Sequence, residues 1–394
     1  MATNKPYLVI EWNDTETDAV GWLCCYNFVS NYCSGGLRVH QTVTREEVIK
    51  LATAMGYKYS ACHSKVGGGA KAGVRYDNTK PDKLDVVKRF LLAISPYLQN
   101  GVSLGGDLGI GYGQVMDLYK ELGIPGVPQL VAKRYEEDPK IIKGLADNDT
   151  LFDMPYKGFV MYDAITGYGA AAGLDESWKQ MGGKPEGATV VIQGFGAVGT
   201  GAARCLKDMG YNIVAICDAK CMVYCPEGLD VDLLIGSVKD HGYLNQDAFK
   251  PEYRVMKNDE WIDIDCDIFM PAALDAVVNK DNADKIKAKL IVEAANIPVT
   301  PEADEILKEK GVLIAPDFIV NLGATRLCDA VPFGLIEMEP QALIDDSQNI
   351  IRDHIRNLFK MRAEKGVTLR EAARAICRPL PSEEPDVDWV GKKK

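Results

Sequence analysis

The sequence predicts an α/β protein of two domains, a mixed α/β domain followed by a domain with a parallel sheet. Three observations predict it: the length, an N-terminal part in which strand and helix patterns alternate, and later short apolar runs separated by helical segments. At roughly 100–200 residues per domain, 394 residues suffice for two or three domains. We place the domains at residues 1–158 and 159–339, and expect helices within residues 340–380 to pack back on the first.

The composition is that of an ordinary globular protein. With 47% hydrophobic and 26% charged residues it excludes a disordered or fibrous chain. The sequence has no apolar run of roughly 18 residues, the length that spans a bilayer, and its start lacks the pattern of a secretory signal. Because the formal net charge of −11 repels phosphate groups, we expect neither nucleic acid nor a membrane as partner.

The eleven cysteines are scattered through apolar stretches. Disulfide frameworks belong to short secreted chains, so we expect reduced thiols and a cytoplasmic protein. Cys217, Cys221 and Cys225 recur at four-residue spacing, which raises the alternative of a metal site. Because structural zinc sites use closely paired cysteines and the sequence has no CxxC pair, we predict no metal.

Strands and helices alternate in the first domain. Residues 7–12 and 19–30 are rich in aromatic and β-branched residues and flank a turn-forming segment, which predicts a hairpin. Residues 45–61 carry apolar residues at helical spacing, and Thr44 followed by acidic residues is typical of a helix start. Residues 83–98 have the pattern of a second amphipathic helix.

The second domain consists of short apolar runs separated by helical segments. Strands that alternate with helices indicate a parallel sheet with right-handed crossovers. The runs that we predict as strands are residues 187–193, 211–218, 266–273, 289–296 and 311–317. Helices are predicted between them, for example at residues 301–311, and again at residues 347–366 and 369–378.

A glycine motif follows the first strand of this domain: Gly194, Phe195, Gly196, Ala197, Val198 and Gly199. A GxGxxG sequence alone is weak evidence, but here a strand precedes it, a helix follows it, and Asp218 closes the next strand. The first glycine allows a tight turn, the second lets the backbone approach a pyrophosphate, and the third lets the helix pack on the strand. The helix N-terminus then offers N–H groups to the phosphates. The motif predicts a Rossmann-type dinucleotide-binding domain.

Asp218 bears on which dinucleotide binds. A carboxylate at this position accepts hydrogen bonds from the adenosine ribose and repels a 2′-phosphate, so NAD is predicted over NADP. Lys220, two residues further on, weakens this preference.

The first domain holds two lysines and an aspartate in glycine-rich surroundings. Lys71 ends the run GGGAK, Lys58 precedes it by thirteen residues, and Asp107 lies in the turn GGDLG. Each alone fits an ordinary surface lysine or turn aspartate. Together with further motifs they resemble the amino-acid dehydrogenase superfamily that includes glutamate, leucine, phenylalanine and valine dehydrogenases. The matching motifs are SGGLRVH (34–40), GYKYSACHSKVGGGAKAG (56–73), GGDLGIGYGQVMDLY (105–119), AITGYGAA (164–171), VIQGFGAVG (191–199), PAAL (271–274), EAANIPVTPEADEIL (293–307) and APDFIVNLGA (315–324).

The resemblance, which covers residues from about 20 to 375, implies a fold and a reaction. The first domain would bind substrate and form a homo-oligomer, and the second would bind NAD. The reaction would be the reversible conversion of an L-amino acid, NAD and water to a 2-oxo acid, ammonia and NADH.

The resemblance also implies roles for individual residues. Lys71 would polarise the 2-oxo group and activate water, Asp107 would move protons to and from the substrate nitrogen, and Lys58 would pair with the α-carboxylate. Besides the glycine motif, the residues that would bind the cofactor are Thr166, Ala272, Asn296 and Asn321.

Two departures from the family pattern bear on the substrate side chain. Glutamate dehydrogenases have a lysine where this chain has Ser34, and a serine where it has Cys328. Because burying a carboxylate against these two groups would cost several kcal/mol, the sequence favours an uncharged side chain, and Gly105 leaves room for a bulky one. Arg326 in the same segment is a rival cation that would permit glutamate.

Two further readings stay open, a different NAD-dependent hydride transfer on the same scaffold and a non-enzymatic NAD-binding paralogue. The second would require loss of Lys71 or Asp107, and both are present. The sequence does not name the amino acid or the oligomeric state.

Overall fold

A computed structural model describes residues 5–64, 67–126, 139–151, 153–238 and 243–382. The chain divides into two compact units, which differ from the predicted domains in their bounds. The first comprises Met1–Asn148, Cys328–Leu335 and Cys377–Lys394, and the second comprises Asp149–Leu327 and Ile336–Ile376.

The first unit is a five-stranded mixed sheet with helices packed against it. The sheet has the strand order β1-β2-β4-β3-β5, in which β3, β4 and β5 run parallel and β1 and β2 run antiparallel to their neighbours. The elements are β1 (Leu8–Asn13), β2 (Val20–Cys25), β3 (Cys33–Val39), α1 (Arg45–Ala61), β4 (Gly68–Arg75), α2 (Lys83–Ala93), α3 (Ser95–Leu98), β5 (Val102–Gly106), α4 (Tyr112–Leu122) and α5 (Pro139–Leu151).

The local predictions for this unit are confirmed. The hairpin forms between β1 and β2, although β2 ends at Cys25 rather than near residue 30. The helix α1 begins after Thr44, whose side chain accepts from the Glu47 N–H in a capping box. The glycine-rich run that holds Lys71 forms a buried strand, β4.

The second unit is built on a seven-stranded sheet of order β11-β10-β9-β8-β12-β13-β14. The five strands from β9 to β14 in this order are parallel, as predicted, and β10 and β11 continue the sheet antiparallel. The elements are β6 (Pro155–Tyr156), β7 (Phe159–Val160), α6 (Met161–Gln180), β8 (Thr189–Gln193), α7 (Ala197–Asp208), β9 (Asn212–Cys217), β10 (Met222–Tyr224), α8 (Val231–Gly236), β11 (Arg254–Met256), β12 (Ile268–Pro271), β13 (Leu290–Val292), α9 (Pro301–Glu309), β14 (Leu313–Ala315), α10 (Asp317–Val320), α11 (Gly323–Ala330), α12 (Pro340–Lys365) and α13 (Leu369–Ile376).

The C-terminal helices differ from their predicted place. We expected residues 340–380 to pack on the first domain, but α12 packs on α6 and α13 on β14, within the second unit. The physical reason lies in the small residues of α6. A Cβ atom on Gly169 would lie 2.8 Å from the Ile351 side chain, so the glycine lets α12 approach closely.

Candidate active site and dinucleotide site

The parallel strands of the first unit bring an oppositely charged pair of side chains together beside a glycine. Lys71 lies on β4 and is buried, and Asp107 directly follows β5. The Lys71 ammonium and the Asp107 carboxylate form an ion pair. A Cβ atom on Gly36 would lie 3.0 Å from both the Lys71 Nζ and the Asp107 Cβ, so a side chain there would crowd the pair. The structure thus brings the two predicted catalytic residues together.

Gly105 lies beside Gly36 in the sheet. It is the register partner of Gly36 on the neighbouring strand, and a Cβ atom on it would lie 3.6 Å from the Tyr112 ring, an ordinary contact. A methyl group would therefore fit at Gly105, and room beside it for a bulky substrate side chain stays a prediction.

Arg38 and Glu47, which the sequence analysis did not single out, complete the charge arrangement. Arg38 Nε lies 3.4 Å from Asp107 Oδ2, and Arg38 Nη1 donates to Glu47 Oε1 at 2.5 Å. The other Glu47 oxygen accepts from the Thr44 N–H, which closes the capping box of α1. Charges of alternating sign therefore run from Lys71 to the start of α1. The available signal was the arginine of the motif SGGLRVH, to which no role was assigned.

These cations control the acidity of Asp107. Burial raises the pKa of its carboxyl, but the Lys71 ammonium and the Arg38 guanidinium lower it more, from 3.8 to about 2. Asp107 is therefore ionised at neutral pH.

Lys58 lies in the last turn of α1 and is buried. The helix crosses β4 closely, since a Cβ atom on Gly69 would lie 2.2 Å from the Gly56 nitrogen. A buried lysine in the first unit suits the predicted contact with an α-carboxylate, which stays a prediction.

Ser34 lies among hydroxyl groups. Its hydroxyl lies close to the phenols of Tyr32 and Tyr59, and the Ser103 hydroxyl lies close to Tyr32. Burial raises the pKa of both phenols, so they stay protonated, and the nearby Cys328 thiol raises it further. We call Tyr32, Ser34, Tyr59 and Ser103 the hydroxyl cluster.

The hydroxyl cluster lies on the same face of β3 as the catalytic pair. Ser34 and Gly36 are two residues apart on the strand, a separation of about 7 Å. A substrate whose reacting carbon lies over Gly36 would therefore extend a side chain of a few carbons toward Ser34 and Cys328.

The glycine motif of the second unit has the expected geometry. Gly194 has a φ of +106°, which favours glycine, and a Cβ atom on Gly199 would lie 1.9 Å from the Gly194 oxygen. Gly196 begins α7 without a side-chain cap, and a Cβ atom on it would meet nothing within 4 Å. Phe195 is buried, whereas Ala197 is exposed and Val198 half-buried. The N–H groups of this helix start are thus accessible to an anion.

Thr166 and Ala272 lie near the same loop. A Cβ atom on Gly167, next to Thr166, would lie 2.3 Å from the Val198 oxygen, so α6 touches the first turn of α7. The Ala272 N–H donates to the Gln193 oxygen at 2.6 Å, directly before Gly194. Both predicted residues are therefore neighbours of the glycine motif.

Asp218 directly follows β9, and its carboxylate accepts hydrogen bonds from backbone N–H groups. Its Oδ1 accepts from the N–H groups of Lys220 and Cys221 at 2.7 and 2.9 Å, and its Oδ2 accepts from Leu244 N–H at 2.7 Å. The Lys220 ammonium lies 3.8 Å from the centre of the Tyr243 ring. The sequence predicted a ribose ligand, and the structure adds that Asp218 also holds its own loop.

Asn296 and Asn321 are hydrogen-bonded to each other. The Asn321 Nδ2 donates to the Asn296 Oδ1 at 3.2 Å and to the oxygens of Ala294 and Ala295. Within the part of the chain that the structure describes, the buried Asn321 Oδ1 has no partner. With the open N-terminus of α7, this oxygen is what a bound dinucleotide would satisfy, so the residues fit such a cofactor.

Family comparisons decide where this arrangement belongs. A family model described as Glutamate/Leucine/Phenylalanine/Valine dehydrogenase matches residues 158–376, and one described as Glu/Leu/Phe/Val dehydrogenase, dimerisation domain, matches residues 9–121. The chain belongs to this family. The predicted resemblance and the two-domain α/β fold are confirmed, and the dehydrogenase is an oxidoreductase of a family that binds a nicotinamide dinucleotide.

Relatives of this dehydrogenase differ in their named substrates. The NADP-specific glutamate dehydrogenase of Saccharolobus shibatae is 34% identical over 314 residues, which are 77% of this chain and 68% of that protein. A structure of the hetero-hexameric glutamate dehydrogenase of Thermus thermophilus, Leu-bound, has a TM-score of 0.73 at 23% identity and covers 94% and 87% of the chains. L-tryptophan dehydrogenase of Nostoc punctiforme has a TM-score of 0.58 at 19% identity and covers 94% of each. The fold therefore does not identify the side chain.

Arg326 of the dehydrogenase is engaged by an acid. Its Nε and Nη2 donate to the two oxygens of Asp346 on α12, at 2.8 and 3.2 Å. This pairing neutralises Arg326, the cation that would otherwise permit glutamate as the substrate.

Among the residues that the structure describes, no three His, Cys, Asp or Glu side chains come together as metal ligands. Across that same part of the chain, no helix has the length and apolar character to cross a bilayer.

Proposed function

We propose that this dehydrogenase catalyses the reversible oxidative deamination of an L-amino acid, with NAD and water, to a 2-oxo acid, ammonia and NADH. The observation that carries the proposal is the Lys71–Asp107 pair above Gly36 and Gly105. It combines a cation that can stabilise a developing oxyanion with a carboxylate that can accept a proton, beside space for a substrate.

The two residues would act in sequence. The Lys71 ammonium would donate to the oxygen of the 2-oxo group and orient the attacking water, while Lys58 would hold the α-carboxylate. When Lys71 turns toward the substrate, Asp107 loses one of the two cations that lower its pKa. Its carboxylate then becomes a stronger base for the proton of the substrate nitrogen.

NAD rather than NADP is the proposed cofactor. The negative charge of Asp218 at the end of β9 opposes a 2′-phosphate. Because each of its oxygens can accept more than one hydrogen bond, its bonds to backbone N–H groups leave it able to accept from a ribose hydroxyl. Kinetics with both dinucleotides test the preference directly.

The proposed substrate has an uncharged side chain. The hydroxyl cluster and Cys328 present neutral groups where a distal carboxylate would lie. Desolvating a carboxylate there costs several kcal/mol without a cation to compensate. Arg326, paired with Asp346, supplies that compensation only if it breaks its own ion pair.

A glutamate-type activity is the second candidate, because the curated relative cited above is named a glutamate dehydrogenase. Steady-state kcat/KM for glutamate, leucine and phenylalanine separates the two. We expect leucine or phenylalanine to exceed glutamate. A native preference for glutamate that collapses in Arg326→Ala would establish the second candidate instead.

A matched pair of variants sharpens this test. Ser34→Lys introduces a cation beside Cys328, and Ser34→Met introduces similar bulk without charge. We expect Ser34→Lys to raise kcat/KM for glutamate by roughly tenfold and Ser34→Met not to raise it. Equal effects of both variants would mean that charge at this position does not select the substrate.

Ammonium dependence tests the reaction type. Reductive amination of a 2-oxo acid needs ammonium, whereas reduction to a hydroxy acid does not. Turnover of NADH with a 2-oxo acid in the absence of ammonium would favour another hydride transfer. Binding of NAD without any turnover would favour a non-enzymatic paralogue.

Assembly and compartment are also part of the proposal. We infer a homo-oligomer formed through the first unit, since residues 9–121 match the model described as a dimerisation domain. Light scattering coupled to size exclusion gives the mass against 43.2 kDa for one chain. The eleven free thiols are consistent with the predicted cytoplasmic location.

A further inference from the structure

A buried ion pair closes the end of β13 in the second unit. Glu293 is fully buried and directly follows the strand. Arg370 on α13 donates to it through both ends of its guanidinium, Nη1 to Oε2 and Nη2 to Oε1, each at 2.8 Å. The Arg370 Nε donates to Asp304 on α9 at 2.5 Å. This geometry fixes the Glu293 carboxylate in one orientation.

From Glu293 the hydrogen bonds continue toward the cofactor asparagines. Its Oε2 accepts from the Asp317 N–H at 3.0 Å, and the Asp317 Oδ2 accepts from the Ile297 N–H at 2.9 Å. Ile297 directly follows Asn296. The Asn321 N–H in turn donates to the backbone carbonyl oxygen of Asp317 at 2.9 Å. Asp317 therefore holds the backbone beside each asparagine.

Ile297 shows that this loop needs to be held. Its φ of +49° lies in the left-handed region, which a β-branched residue rarely adopts. Such a conformation persists where surrounding contacts impose it. The bond from its N–H to Asp317 is a contact of that kind, and it depends on the position that Glu293 gives to Asp317.

The pair does more than add stability. A buried ion pair can often be replaced by apolar residues without loss of stability, because its desolvation offsets its attraction. Here the fixed carboxylate orients the Asp317 N–H, and the Asp317 side chain bonds directly to the loop of Asn296 and Ile297. The Asn296 side chain in turn bonds Asn321, whose amide oxygen is unsatisfied.

We propose that Arg370 and Glu293 are positioning residues for the dinucleotide, acting through Asp317 on the loop that carries Asn296 and faces Asn321. The proposal rests on the proposed function, since it needs the asparagines to contact the cofactor. The proposal assigns to α13 an indirect role in cofactor affinity, exerted through the hydrogen bonds of Arg370.

The test compares Glu293→Gln and Arg370→Lys with Asp304→Asn as control. The first two disturb the fixed carboxylate, whereas the control removes the other partner of Arg370 and leaves Glu293 in place. We expect the Kd of NADH, followed by its fluorescence, to rise about ten- to a hundredfold in both test variants. The control should stay within about twofold of the wild type, as should the amino-acid KM at saturating NAD in all three variants.

Thermal unfolding separates positioning from stability. A lowered Tm with unchanged NADH affinity in Glu293→Gln or Arg370→Lys would overturn the proposal. If one of the two variants fails to fold, the other still decides it. A wild-type chain that neither binds nor turns over a dinucleotide would instead overturn the proposed function.

A rescue variant tests the route through Ile297. Asparagine tolerates the left-handed conformation better than isoleucine, so Ile297→Asn lowers the dependence of the loop on Asp317. We expect Ile297→Asn added to Glu293→Gln to recover part of the lost NADH affinity. A double variant as weak as Glu293→Gln alone would contradict this route.

Discussion

The two units use their parallel strands in opposite ways. In the first unit the charged side chains of Lys71 on β4, Arg38 on β3 and Asp107 directly after β5 lie together, and their charges alternate. In the second unit the corresponding turn after β8 exposes Gly196 and Ala197 and an uncapped helix start. Proton transfer needs side chains that titrate, whereas a bound anion needs only backbone N–H groups and space. One site is therefore specified by charges and the other by small residues.

The largest effect is expected from removing the charges of the first unit. Lys71→Ala or Asp107→Asn should lower kcat by roughly 10²–10⁴-fold, because each removes a group that handles protons or charge. NADH affinity, which belongs to the other unit, should stay near the wild-type value. Steady-state kinetics and fluorescence titration check both halves.

Two outcomes would contradict this separation of roles. If one of the variants retains its turnover, the residue that it replaces does not take part in the reaction. A loss of NADH affinity equal to the loss of kcat would show that charge in the first unit also governs dinucleotide binding.

Adding one carbon atom to a glycine of the second unit tests the role of its small residues. Gly196→Ala places a methyl group in open space, so folding should be unchanged while the NADH Kd rises about tenfold or more, because the methyl group blocks the pyrophosphate. Gly199→Ala places it 1.9 Å from the Gly194 oxygen, so this variant should lose stability, roughly 1–3 kcal/mol. Urea unfolding and fluorescence titration on both variants check this. The same phenotype in both would mean that the two glycines do not have separate roles.

Asp218 is the exception in the second unit, a charge in a site otherwise specified by small residues. Asp218→Asn keeps a side-chain oxygen for the backbone and removes the charge, so the ratio of kcat/KM for NAD over NADP should fall about tenfold. Lys220→Ala is the companion variant. If the native enzyme prefers NADP and Lys220→Ala reverses that preference, Lys220 reads the ribose and Asp218 only holds the loop.

Acid titration gives the smallest effect. The pKa of Asp107 is lowered from 3.8 to about 2, so its ion pairs add stability above pH 4 that is lost as the pH falls toward 2. This contribution is about 2 kcal/mol. The difference in urea midpoint between the wild type and Asp107→Asn should be constant from pH 8 to 5 and narrow in stronger acid, to about zero near pH 2. A difference that does not depend on pH would mean that Asp107 is not held by cations.

The sequence predicted what depends on local spacing. The glycine motif, the helix start at Thr44 and the pairing of Lys71 with Asp107 follow from short motifs or from family resemblance. Arg38 and Glu47 escaped prediction because their pairing joins a strand to a helix start, which no spacing reveals. The packing of α12 escaped for a related reason.

An amphipathic helix shows which of its faces is apolar but not which surface will cover it. The surface that covers α12 includes Gly169 and Gly173 on α6. The apolar pattern of α12 does not indicate these partners. The hydrogen bond between Asp218 and the Leu244 N–H is a third contact that the sequence did not predict, because the two residues are far apart along the chain.

Glu47 has a consequence for protein engineering. Its carboxylate both closes the first turn of α1 and neutralises Arg38, the neighbour of Asp107. A thermostability screen that redesigns this helix start would also change the charge next to the catalytic carboxylate, so gains in half-life selected at position 47 would come with altered pH–rate profiles. Directed evolution for stability should therefore keep Glu47 fixed and vary helix starts of the second unit, such as that of α9, which is capped by Thr300.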